Sequence, residues 1–145
     1  MSDAVTTKLP VWFWIVAIVA ILWNLMGVAS YISTVMISPE AIAAMPEAEQ
    51  ALYNNTPIWA TSAFAIAVFA GIAGAVLMVL RNCFALPVFG LSLAGIIIQM
   101  SYWLLMTNSI DVYGPGGVTM PIMVITIGAF LVWFSSMAKA KGWLR

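Results

Sequence analysis

"VWFWIVAIVAILWNLMGVASYISTVMI", Val11–Ile37, decides how this chain has to be read. The stretch holds no Asp, Glu, Lys or Arg, and it is too long for the core helix of an ordinary soluble domain. At about 1.5 Å per residue it crosses the ~30 Å hydrocarbon layer of a bilayer with length to spare. Three further runs share this character: Pro57–Leu80, Phe84–Thr107 and Val118–Met137. The 145 residues are 64% hydrophobic and 7% charged, with a mean hydropathy of +1.08. Soluble chains carry about a quarter of their residues charged. One domain over residues 1–145 is expected. Its fold class is an all-α integral membrane protein, a four-transmembrane-helix antiparallel bundle with helices at about 11–37, 57–80, 84–107 and 118–137.

Charge sets the expected orientation. Lys8, Arg81, Lys139, Lys141 and Arg145 fall on one side of a four-span chain, and Glu40, Glu47, Glu49 and Asp111 on the other. Excess Lys and Arg marks the cytoplasmic face, so both termini are expected in the cytoplasm. Trp12, Trp14, Trp133 and Trp143 then lie near the inner interface, with Tyr53, Trp59, Trp103 and Tyr113 near the outer one. A cleaved signal peptide ending near Ala29 is the rival reading; the apolar run continues past it to Ile37, and cleavage would strand three spans.

The link "RNC", Arg81–Cys83, is so short that the second and third spans must pack as a hairpin. The outer loop 38–56 carries a helix-start pattern at Ser38, Pro39 and Glu40, and Pro46 begins a second short turn. Thr56 and Pro57 repeat the cap-plus-proline signal before the second span. The loop reads as a short amphipathic helix lying on the surface as a lid. "DVYGPGG", Asp111–Gly117, reads as a turn cluster with backbone freedom at Gly114, Gly116 and Gly117.

Composition also excludes. The chain has no histidine and a single cysteine, Cys83, which rules out a disulfide framework or a Cys/His metal site within one chain. Met120 and Met123 could be soft-metal ligands, but methionine is more often a flexible core filler. No cofactor or metal is expected. No Asp, Glu, Lys or Arg lies within a span, which argues against proton- or cation-driven transport and against a charged-ion channel. A nucleophile, base and orienting group cannot be assembled, so the protein is expected to be non-catalytic.

The uncharged polar residues are unevenly placed. Asn24, Gly27, Tyr31 and Thr34 share one face of the first helix. Ser92, Gly95, Gln99 and Tyr102 share one face of the third, flanked by Trp103 and Met106. Thr61 and Ser62 lie near the outer end of the second helix, and Thr126 near the middle of the fourth. By depth, Tyr31, Thr34, Thr61, Ser62, Gln99 and Tyr102 fall in the outer half, Asn24 and Thr126 near the midplane and Ser92 in the inner half, which gives a polar recess opening outward above an apolar floor. Aligning Gly27 with Gly95 also matches Asn24 with Ser92, Tyr31 with Gln99 and Thr34 with Tyr102, the pattern of a repeated hairpin.

Two readings of these residues stand side by side. Polar and small residues on membrane helices commonly serve helix association, with Asn24 bonded to Gln99 or Thr126 on a neighbour. Ala67, Gly71 and Gly74, with Ala63 and Ala75, then let backbones approach. Under this reading the protein is a structural or accessory element, self-associating or packed in a larger membrane complex. Alternatively, Asn24, Tyr31, Thr34, Gln99, Tyr102 and Trp103 bind or carry a small neutral molecule, sugar-like or amphipathic. The expected partners are the lipid bilayer, a second copy or a larger complex, and a small neutral ligand; no nucleic acid is expected.

The segments "WNLMGVASY" (Trp23–Tyr31), "MPEAEQALY" (Met45–Tyr53), "PIWATSAFAIAVFAG" (Pro57–Gly71), "RNCFALPVFGLSLAG" (Arg81–Gly95), "VYGPGG" (Val112–Gly117) and "AKAKGWL" (Ala138–Leu144) carry a resemblance covering nearly the whole chain. It resembles a group of small four-helix bacterial inner-membrane proteins that bear the label "sugar transporter". A looser similarity to DoxX-like four-helix proteins concerns architecture alone. The resemblance implies a multi-pass protein of the bacterial inner membrane.

Overall fold

The computed structural model describes residues 9–145, so Lys8 and its contribution to the charge pattern lie outside the described residues. The described chain is helical, without strands. Four helices are long and apolar enough to cross a membrane. They are α1 (Val11–Val35), α4 (Ile58–Val79), α5 (Ala85–Ser101, continued as a π-helical turn over Tyr102–Met106) and α7 (Gly116–Ala140). Three short helices join them: α2 (Pro39–Ala43), α3 (Glu47–Asn54) and α6 (Ser109–Tyr113).

Several ends of the long helices have a local cause. Pro10 and Pro57 stand immediately before α1 and α4, where the missing N–H costs nothing. α4 ends in a Schellman turn: the Asn82 N–H reaches the Leu77 carbonyl at 2.8 Å and the Arg81 N–H the Met78 carbonyl at 3.0 Å. Arg81 therefore sits at φ 58, a left-handed conformation that usually falls to glycine. α7 ends in the same motif around Gly142, with Trp143 N–H on the Ala138 carbonyl at 2.9 Å. The two turns clasp. Arg81 Nε donates to the Trp143 carbonyl at 3.0 Å, and the Arg145 N–H to the Arg81 carbonyl at 2.8 Å.

Several boundaries differ from the sequence reading. The fourth helix starts at Gly116 and runs to Ala140, because Gly116 and Gly117 are helical and Gly114 alone turns the chain, at φ 69. "DVYGPGG" is thus partly helix, α6, and its glycines do different work. Gly117 is small because Ser109 lies beside it; a Cβ there would stand 3.1 Å from the Ser109 carbonyl oxygen. Loop 38–56 holds two helices rather than one. Ser38 caps α2 by accepting from the Ala41 N–H at 3.1 Å, as its sequence pattern suggests. Thr56 does not cap α4: its hydroxyl donates back to the Leu52 carbonyl at 2.6 Å and so finishes α3. Gln50 stitches the two short helices together, its amide nitrogen donating to the Met45 carbonyl at 2.8 Å.

The long helices form a row in which α1 packs on α4, α4 on α5, and α5 on α7. Small residues make the row tight. A Cβ on Gly95 would come within 2.9 Å of the backbone of both Ala63 and Ala67. One on Gly74 would come within 2.8 Å of the Phe89 ring, and one on Gly27 within 3.2 Å of Val68. Interfaces between membrane helices gain from this closeness, since lipid is as apolar as the side chains.

The start of α1, the end of α4, the start of α5 and the end of α7 meet in one cluster. Phe13, Met78, Phe89, Phe134 and Trp143 are buried there. Phe13 stacks on Phe134 at 5.9 Å, and Trp12 meets Trp143 edge-on at 5.3 Å. Arg81, Lys139, Lys141 and Arg145 surround this basic end. Trp143, expected at the interface, is buried in the cluster because the Gly142 turn folds it under α1. Loop 38–56 and α6, with Glu40, Glu47, Glu49 and Asp111, form the opposite, acidic end.

Candidate functional site

Asn24 sits where three helices meet. It is 8% exposed, and its side-chain nitrogen donates to the carbonyl of Ala20 on its own helix at 2.8 Å. Its oxygen lies over Gly71: a Cβ built on Gly71 would stand 2.1 Å from Asn24 Oδ1 and 3.2 Å from Ser92 Oγ. Ser92 approaches α4 from the other side and donates to the Ala67 carbonyl at 2.6 Å. Asn24 is therefore not bonded to Gln99 or Thr126. Gln99 lies seven residues beyond Ser92, about 10 Å along α5, and Thr126 faces outward on α7. Asn24 and Ser92, matched in the sequence alignment of the two stripes, thus flank the same glycine. Ala67, Gly71 and Gly74 are all buried at this junction.

Toward the acidic end the two stripes part company. Tyr31 turns to α4, where its ring meets Phe64 and Phe69 edge-on at 5.3 and 5.5 Å. Thr34 donates to its own Ser30 carbonyl at 2.8 Å. Tyr102, at the start of the π turn, donates to the Asn55 carbonyl at 3.3 Å and meets Trp59 edge-on at 5.3 Å. That bond ties α5 to the lid. The π turn itself is held by the Trp103 carbonyl, which accepts from the Ser109 hydroxyl at 2.9 Å and from the Thr107 hydroxyl. Such turns interrupt the α ladder and re-aim side chains. Here the re-aimed ring is Trp103, stacked on Tyr113 of α6 at 6.1 Å.

Two cavities result. The first, about 500 Å³, lies beneath α2 and α3 and is lined by Thr34, Leu52, Tyr53, Thr61, Gln99 and Tyr102 among others. Leu52 is the buried anchor that seats α3 as its roof. The second, about 720 Å³, is a mainly apolar groove between α1 and α7, the outermost helices of the row. Its walls include Trp23, Met26, Val68, Ile96, Met120 and Val124, and Asn24 and Ala67 lie at its foot. Beyond them the aromatic cluster of the basic end closes the space.

Phe64, Gln99, Trp103 and Tyr113 line both cavities and form the wall between them. The Gln99 amide is half-buried and makes no side-chain hydrogen bond among the described residues. Of the expected site residues, Thr34, Gln99, Tyr102 and Trp103 line the recess and Asn24 lines the groove. Tyr31 lines neither, its ring being taken up by the two phenylalanines. The sequence reading missed the roles of Phe64 and Tyr113 in the dividing wall. Burial, then the nearby Glu49 carboxylate and Tyr53, push the Tyr113 phenol above its ordinary pKa, so it stays neutral and able to donate.

No group of three or more His, Cys, Asp or Glu side chains able to hold a metal occurs among the described residues. Set against protein-family models, curated proteins and solved structures, the chain matches none.

Proposed function

We propose that this is a non-catalytic, multi-pass membrane protein that binds a small neutral molecule in the recess beneath α2 and α3. The supporting observation is the Gln99 amide, which makes no side-chain hydrogen bond among the described residues and lines a roofed cavity of about 500 Å³. A half-buried amide that is not taken up by a neighbouring helix is free to bond a molecule in the cavity it lines. An amide left open beside Thr61, Tyr53 and Tyr113 offers donors and acceptors without charge, which suits hydroxyl-rich or amide ligands. A structural or accessory role is the second reading, favoured by the close packing at Gly71, Gly74 and Gly95. The closed basic end supports a binder, or one conformation of a carrier, over an open pore.

The test is solute binding to protein in nanodiscs, with glucose, glycerol and mannitol as probes. Gln99→Leu is expected to weaken binding about tenfold, the equivalent of one hydrogen bond of about 1.4 kcal/mol. Tyr102→Phe loosens the roof by freeing Asn55 and is expected to weaken it several-fold. Unchanged binding in a folded Gln99→Leu protein, or no binding by the wild type, returns the assignment to the structural reading.

We further propose the orientation set by charge: basic end and both termini in the cytoplasm of a bacterial inner membrane. Glu40→Cys in a Cys83→Ser background is expected to react with an impermeant maleimide added outside cells. The native Cys83, beside Arg81 at the basic end, is expected to react only with a permeant reagent. The opposite labelling pattern would overturn this topology.

A further inference from the structure

The groove between α1 and α7 has no place in the binding of a small polar solute. It is larger than the recess, mainly apolar, and abuts it across Gln99 and Trp103. Its length follows from its lining. Gly116 to Val124 on α7 spans about 12 Å at about 1.5 Å per residue. Half of a ~30 Å hydrocarbon layer is about 15 Å. The groove therefore occupies most of one leaflet, from the acidic end to the level of Asn24 and Ala67, and is blind below them.

We infer that the ligand is a neutral single-chain amphiphile drawn sideways from the bilayer, its chain in the groove and its head against Gln99 in the dividing wall. This rests on the recess reading and sharpens its ligand class. Three features of the groove select that occupant. The described groove walls carry no Asp, Glu, Lys or Arg, which disfavours an ionic head and leaves the chain in apolar surroundings. The polar groups facing both cavities are Gln99, the Trp103 indole and the Tyr113 phenol, and all are uncharged donors at the groove's head end. Pro121 has no N–H, so the Gly117 carbonyl, at the same end, lacks its usual helical donor. A slot one leaflet deep between two helices suits one chain, whereas the recess alone offers an alkyl tail no room beyond its own volume.

Gly116 supplies the test. It lines the groove near its mouth, and a Cβ added there meets nothing within 4 Å. Gly116→Phe should therefore obstruct the groove without disturbing the packing. The probe is monoolein carrying a photoreactive diazirine in its chain, added to the full-length protein in nanodiscs. Wild-type protein is expected to be labelled at Met26, Met120 or Val124 at least tenfold above the outward-facing Phe69 and Leu91. Unlabelled monoolein should compete. Gly116→Phe is expected to lower groove labelling at least tenfold at an unchanged melting temperature, while glucose or glycerol binding in the recess persists.

Equal labelling of wild type and a folded Gly116→Phe protein overturns the inference, as does labelling of the groove no stronger than of Phe69 and Leu91. Solute binding that depends on Gln99, without competed groove labelling, overturns the amphiphile and leaves the recess reading standing. Competed groove labelling without solute binding supports the amphiphile and removes the headgroup-sized solutes as ligands.

Discussion

Gly95→Leu is expected to destabilise the protein by about 3 kcal/mol or more, the upper range for overpacking a filled interface. The position faces backbone, not the yielding end of a side chain. A first carbon there already lies 2.9 Å from the Ala63 carbonyl oxygen and 2.9 Å from the Ala67 nitrogen. Neither atom can retreat without moving α4, and α4 is held on its other face by Asn24 and Gly27 of α1. Separating α5 from α4 would also strip the Ser92 hydroxyl from the Ala67 carbonyl, now 2.6 Å away. Gly90 offers an internal comparison, because it lies on the same helix and a Cβ there meets nothing within 4 Å. Denaturation in mixed micelles should place Gly90→Leu near wild type and Gly95→Leu far below it. Similar midpoints for the two variants would contradict the packing described for α4 and α5.

Phe134→Ala is expected to cost about 3 to 5 kcal/mol, the usual range for deleting a buried aromatic ring. Phe134 is 0% exposed and is contacted by Trp12, Phe13 and Phe130. In lipid the loss is chiefly of packing contacts, because a cavity there has nothing to replace the ring. Phe134 and Phe13 also hold α1 to α7 where the groove closes, so the deletion should loosen the floor. Trp133, one residue away and 58% exposed, is the comparison: Trp133→Ala should shift the midpoint by about 0.5 kcal/mol or less. A Phe134→Ala protein as stable as Trp133→Ala would mean that the cluster does not hold the basic end together.

The spans could be read from the sequence because the bilayer imposes a length and forbids unpaired charge, and both leave marks that need no tertiary information. The order of the helices left no such mark. In a soluble bundle the apolar stripe points at the neighbours; α1 exposes Leu22 and Met26 as apolar as anything it buries. The gap between α1 and α7 was therefore illegible, although Asn24 at its foot was singled out. Tyr31 and Gln99 occupy matched places on their stripes, yet Phe64 and Phe69 claim one ring while the other side chain is left open. Such outcomes depend on which neighbour arrives, not on periodicity. The π turn at Tyr102–Met106 was hidden for a related reason: it is held by the hydroxyls of Thr107 and Ser109, beyond its own end.

An experimental density map of the wild-type protein in nanodiscs, prepared without added detergent, would test the ligand site most directly. The account predicts density in the groove between α1 and α7, continuing to within hydrogen-bond distance of the Gln99 amide beneath α2 and α3. A map in which Gln99 is bonded to a neighbouring helix and α1 meets α7 along its whole length would contradict it.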